Sequence, residues 1–139
     1  MWFSYETTEG EQLEVRMGVS FVSVENARLN LEAEQQERSF DDIRAAARRS
    51  WNDDLGRIRV EGGTDAQKKV FYTGLYHALI HPNVLSDVNG EYPAMESAEI
   101  RTAEGNRYTV FSLWDTYRNL HQLMTLVYPE RQLEMVRSM

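Results

Sequence analysis

Cysteine is absent from all 139 residues. That excludes disulfides, thiol catalysis and thiolate metal sites, and leaves the compartment open. Positive charge is scarce: 15 Lys and Arg stand against 22 Asp and Glu, a formal net charge of −7. Nucleic acid and anionic membranes both require a basic field, so neither is expected as a partner. Arg48 and Arg49 form only a pair on a helix. No apolar run is long enough to span a bilayer, and Met1-Trp2-Phe3-Ser4-Tyr5 has neither the basic nor the apolar region of a signal peptide. Also missing are a nucleophile elbow, a Ser/His/Asp arrangement and any spacing that pairs two carboxylates as acid and base.

What is present suits one globular domain, with 42% hydrophobic and 27% charged residues. Residues 12–24 alternate, with Leu13, Val15, Met17, Val19 and Phe21 on one face. That period of two predicts a half-buried strand, with residues 2–7 as its hairpin partner across Thr8-Glu9-Gly10-Glu11. Ser23 is placed to cap a helix carrying Ala27, Leu31 and Glu34 on one face. Ser39 opens a stronger helix to about Leu55, with Ile43, Ala46, Ala47, Ser50 and Trp51 at helical spacing and Gly56 as its stop. Residues 57–60 read as a short extended piece. After Gly62-Gly63, Thr64 and Gln67 form a capping box for a helix that Pro82 terminates. Loop and hairpin follow over 83–108, then one helix over 113–126 and another opened by Pro129. Strands come first and helices afterwards, an α+β order. The chain begins inside an aromatic strand and stops inside an apolar helical stripe, so both ends read as cuts in something larger.

The densest chemistry lies in Phe111-Ser112-Leu113-Trp114-Asp115-Thr116-Tyr117-Arg118. An aromatic ring, a carboxylate and a guanidinium stand close together there at a helix start. They suit a polyhydroxylated ligand, the ring facing C–H groups and the charges bonding hydroxyls. Each also has a plainer explanation: Trp114 can plug a core, Asp115 can oppose the helix dipole, and Arg118 can pair with Asp115 one turn away. From these residues alone the packing explanation is favoured. His77 and His81 have metal-sharing spacing on one helix face, but no acidic base lies between them and no third ligand stands out. Structural placement suits them better. Asp87, Asn89 and Glu91 around Gly90 echo part of a calcium loop, yet the EF-hand register is missing and a hairpin turn fits better. Gly62-Gly63 echoes a phosphate loop without its lysine.

Taken in order, these segments resemble glycoside hydrolase family 92, the calcium-dependent exo-acting α-mannosidases. Val19-Ser20-Phe21-Val22-Ser23-Val24-Glu25-Asn26-Ala27 looks like the end of that family's N-terminal β-sandwich and its helical linker. Trp51-Asn52 with Leu55, Ile58, Val60 and Gly62 is similar to the linker helix and the strand after it. Phe71-Tyr72-Thr73-Gly74-Leu75-Tyr76-His77-Ala78 and His81-Pro82-Asn83 look like the first helix of the (α/α)6 barrel. The most specific likeness is Ser86-Asp87-Val88-Asn89-Gly90-Glu91-Tyr92 followed by the 111–118 octapeptide. One departure is visible: Pro93-Ala94-Met95 replaces the family's usual basic or apolar residue and Gly.

The resemblance implies an α+β fragment: residues 1–24 close the C-terminal part of a β-sandwich, 25–63 form a helical linker, and 64–139 begin the (α/α)6 catalytic barrel. It implies hydrolysis of terminal α-linked mannose (α-1,2 expected) from glycans with inversion, calcium as cofactor, and a secreted or periplasmic parent. Asp115 matches the aspartate that hydrogen-bonds the terminal mannose, Trp114 shapes the pocket beside it, and Arg118 is expected to hold Asp115 in its rotamer. By the same likeness the acid, the base and the calcium ligands lie beyond this chain, so no catalytic residue and no metal ligand is assigned within it. Alone, the chain is expected to be inactive. The rival reading is a stand-alone helical interaction or carbohydrate-binding module.

Overall fold

The computed structural model describes residues 2–139; Met1, the first residue of the expected sandwich segment 1–24, lies outside them. Local chemistry places the first three helices. Ser23 caps α1 (Val24–Gln35), its hydroxyl accepting the Asn26 N–H at 3.0 Å. Ser39 caps α2 (Phe40–Leu55) reciprocally: its hydroxyl accepts the Asp42 N–H while the Asp42 carboxylate accepts the Ser39 N–H. Thr64 and Gln67 repeat the device at α3 (Asp65–Leu79). Each cap satisfies an amide that the first helical turn leaves unpaired. Thr64→Ala is expected to cost about 1 kcal/mol, read as a lower urea midpoint at unchanged slope. Gly62 and Gly63, at φ 73° and 67°, turn the chain into α3 in a backbone region that glycine enters without strain.

Past α3 the chain makes two short antiparallel pairs. β1 (Asn83–Val84) pairs with β4 (Tyr108–Thr109), and β2 (Glu91–Pro93) with β3 (Ile100–Thr102). The Asp87–Gly90 turn that leads into β2 is closed by the Gly90 N–H donating to Asp87 O at 2.8 Å. Helices then return as α4 (Leu113–Thr116), α5 (Leu120–Val127) and α6 (Pro129–Ser138).

The core gathers where α3, α5 and the end of α2 meet. Leu75, Met124 and Tyr128 are buried together, with Leu55, Ile58, Tyr72 and Leu79 packed around them. Tyr128 also anchors polar groups: its hydroxyl donates to Asp54 O at 3.0 Å, and Arg57 and Arg131 lie over its ring at 5.1 and 5.7 Å. Arg131 pairs with the Asp54 carboxylate at 2.9 Å. Burial, and after it the Asp54 charge, push the Tyr128 phenol up against the opposing pull of Arg131 and Arg57.

Three expectations need correcting. The hairpin of residues 2–7 and 12–24 does not form. Its turn does, with the Glu11 N–H donating to Thr8 O at 3.1 Å, but the arms pair with no strand among the described residues. Alternation decides which face is apolar without supplying a ladder partner, and a lone two-stranded ribbon is marginal in water. Phe21 accordingly stays 68% exposed. Residues 57–60 are turn and irregular backbone rather than a strand. Finally, the helix expected over 113–126 is broken at residues 117–119, where Asn119 sits at φ −139°, well outside helical values.

Candidate functional site

Between β4 and α4 the backbone makes an abrupt turn. Val110 stands at φ 62°, a left-handed conformation that a β-branched residue adopts only under strain. The chain then delivers Phe111, Ser112 and the four residues of α4 to the surface. Ser112 precedes α4 but does not cap it in the usual way, since its hydroxyl reaches no backbone N–H of the first turn. It donates instead to Asp115 Oδ2, fixing the carboxylate beside the helix start. Asp115 Oδ1 accepts no hydrogen bond among the described residues. Trp114, next to it, is 83% exposed.

Trp114 and Asp115 are therefore neighbours on α4, both facing outward, and Trp114 plugs no core within this chain. Arg118 does not join them. Its Nε donates to the Tyr117 hydroxyl at 3.1 Å and its guanidinium lies 5.7 Å from that ring centre. No ion pair links it to Asp115 among the described residues. The expected role of Arg118 in holding Asp115 is corrected: the backbone stays helical through Tyr117, but the Arg118 side chain turns onto the Tyr117 ring and hydroxyl, and Ser112 does the holding. Ser112 stands three residues before Asp115, a spacing that could have revealed it. Thr116 and His121, which lie behind the site, carry no such local signal.

Beside α4 runs an open cleft of about 590 Å³, lined among others by Tyr92, Met95, Arg107, Phe111 and Leu113. The Arg107 guanidinium lies 5.1 Å from the Tyr92 ring centre. Trp114, Asp115 and Arg118 do not line this cleft. His77 is exposed, with its ring 5.6 Å from that of Tyr76. His81 lies past the end of α3 and is also exposed. No group of three or more metal-ligating side chains occurs among the described residues.

A second polar cluster was not foreseen as a unit. Asp87, 8% exposed, accepts from the Ser20 hydroxyl at 2.6 Å and the Asn26 amide at 2.8 Å on one oxygen, and from the Asn30 amide at 2.7 Å on the other. Glu91 accepts from the Asn26 and Asn89 amides at 2.8 and 3.1 Å. Asn30 Oδ1 in turn accepts the Val88 N–H at 2.9 Å. Burial is the largest single influence on Asp87 and opposes ionisation. The bonds from Ser20, Asn30 and Asn26 together outweigh it, and its carboxyl is held below the ordinary value. These carboxylate oxygens are turned to N–H and O–H donors of the chain itself, which does not fit a calcium ion, whose ligands must all offer lone pairs. The cluster is a clasp between α1 and the loop before β2.

The model of the glycosyl hydrolase family 92 catalytic domain matches residues 26–139. The chain belongs to this family. Solved structures agree with the match. The family 92 α-mannosidase BT3965 from Bacteroides thetaiotaomicron is 38% identical with a TM-score of 0.80, over 86% of this chain. The family 92 inverting mannosidase BT2199 from Bacteroides thetaiotaomicron VPI-5482 is 36% identical with the same TM-score and share. BT3965 is also known in complex with mannoimidazole. The chain spans 16% of the length of each of these relatives. No curated protein matches it. Its helix-rich architecture with a few short strands is thus that of a segment of family 92 structures, and it is homologous to glycosidases that act as α-mannosidases.

Proposed function

We propose that this chain forms one wall of the sugar pocket in an exo-acting α-mannosidase of family 92, which removes terminal α-linked mannose from glycans. The observation that carries the reading is the pairing on α4: an exposed Trp114 beside Asp115, whose carboxylate is steadied by Ser112 with one oxygen free. A flat apolar face next to a charged acceptor is the chemistry that a sugar's C–H and O–H groups require. Arg118, turned onto Tyr117, is assigned a rim contact. Residues 1–24 then complete a β-sandwich, 25–63 link it, and 64–139 begin an (α/α)6 barrel. The uncovered apolar face of residues 13–21 supports that assignment.

Hydrolysis is proposed to invert the anomeric centre and to prefer α-1,2-linked mannose, with calcium as cofactor. Inversion is supported by the description of BT2199 as inverting. It requires an acid and a base roughly 6.5–9.5 Å apart with water between them. Those groups and the calcium ligands are assigned to parts of the enzyme outside this chain. The complete enzyme is expected to release mannose from α-1,2-mannobiose with the β-anomer appearing first by NMR. The α-anomer appearing first would refute inversion. The 139-residue chain alone should release none; release that Asp115→Ala abolished would overturn the assignment of the acid and base.

A further inference from the structure

The hydrogen bonds behind α4 point to a role for His121 that rests on the reading of Asp115 as a sugar contact. Helix α4 is only four residues long, and the side chain of Asp115 is bonded no further than Ser112. Two side-chain links tie α4 and its C-cap to the later helices: Gln122 Nε2 of α5 donates to Tyr117 O at 3.1 Å, and Thr116 meets His121. The single hydroxyl proton of Thr116 goes to the Ser112 carbonyl at 3.0 Å. His121 Nε2 lies 2.9 Å from the same hydroxyl oxygen, within hydrogen-bond reach. The other ring nitrogen, Nδ1, lies 3.2 Å from the Gln132 carboxamide on α6. A carboxamide offers an oxygen on one side and an N–H on the other, so Gln132 can pair with either tautomer of the ring. The half-buried imidazole thus spans from α4 to α6 with both nitrogens engaged.

We propose that His121 is a positioning residue for Asp115: it braces α4 against α6 and so fixes the direction in which the carboxylate points. Ser112 sets the rotamer of Asp115. His121, through Thr116 and the Ser112 carbonyl, holds the backbone turn that carries both residues. Without the brace, the side-chain tie left at α4 is that of Gln122 to the Tyr117 carbonyl, which holds the C-cap and not the turn at Ser112.

Two readouts test this separately from the sugar-contact reading. In the 139-residue chain, His121→Ala and Thr116→Val should each shift the carboxyl carbon resonance of Asp115 in NMR spectra. Thr116→Val keeps the imidazole and removes only the hydroxyl, so it serves if His121→Ala folds poorly. An unmoved resonance in the folded Thr116→Val chain overturns the brace. In the complete enzyme, each substitution should lower kcat/KM for α-1,2-mannobiose about tenfold, the worth of a hydrogen bond or two. In an Asp115→Ala background the same substitutions should change it less than about twofold, because the effect passes through Asp115. An equal loss in both backgrounds would mean a general structural role and would overturn the proposal. If Asp115→Ala alone leaves kcat/KM unchanged, the sugar-contact reading falls, and the carboxyl resonance still decides whether the brace exists.

Discussion

Asp87→Ala should lower the unfolding free energy of the chain by about 3 kcal/mol, well beyond the effect of an ordinary surface substitution. The carboxylate is buried and accepts three hydrogen bonds, from Ser20, Asn26 and Asn30. Truncation leaves two amides and a hydroxyl without that acceptor, and a buried donor left unmade costs more than the bond it once formed contributed. Asp87→Asn should be nearly as harmful, at about 2 kcal/mol, because it aims an N–H at donors that need an oxygen. The clasp also sets an acid limit. The folded pKa of Asp87 lies below its unfolded value, so its stabilising contribution is complete above the unfolded value and is lost as pH falls through the folded one. Urea unfolding at pH 7, 5, 4 and 3 should show stability falling below about pH 4, with a shallower fall in Asp87→Ala. Equal slopes in the two chains would remove Asp87 as the source.

In the complete enzyme, Asp115→Ala should reduce kcat/KM for terminal α-mannosides about a hundredfold. A hydrogen bond from a sugar hydroxyl to a carboxylate is worth about 1.5–3 kcal/mol, and its loss leaves the hydroxyl unpartnered in the pocket. Asp115→Asn keeps a carbonyl acceptor and should lose about tenfold. Ser112→Ala, which frees the carboxylate to rotate, should fall between the parent and Asp115→Asn, because the acceptor survives and only its aim is lost. Steady-state kinetics on the three variants would give that order; a Ser112→Ala loss exceeding that of Asp115→Ala would mean that Ser112 itself meets the substrate.

What could be read from the sequence was local chemistry. Ser23, Ser39 and Thr64 start helices because a side-chain oxygen is matched to an amide three residues on, which three consecutive letters beyond the cap reveal. Pro129 and the Gly90 turn belong to the same kind of signal. Trp114 and Asp115 were legible as a pair, and the structure brings both to the surface. Contacts made across long stretches of chain were not legible. Ser20, Asn26 and Asn30 each look like cap or surface residues, and their common partner lies 67, 61 and 57 positions away. The break at 117–119 was hidden because Leu113, Leu120 and Met124 keep helical spacing across it, with no proline or glycine to mark it. Spacing alone does not tell whether Arg118 turns to Asp115 or to the neighbouring Tyr117 ring, where the structure has it.

The clasp on Asp87 has a consequence for motion. The side-chain bonds that tie residues 20–30 to the rest of the fold converge on the short loop from Asp87 to Glu91. The extended segment and α1 can therefore open together as one cooperative unit while the Leu75, Met124 and Tyr128 core stays closed. Asp87 carries three of the bonds broken in that partial opening, and Glu91, Val88 and Asn89 carry the others. Hydrogen exchange in α1 should then quicken when Asp87 takes up a proton, while exchange at the amides of α5 follows the global stability of the core.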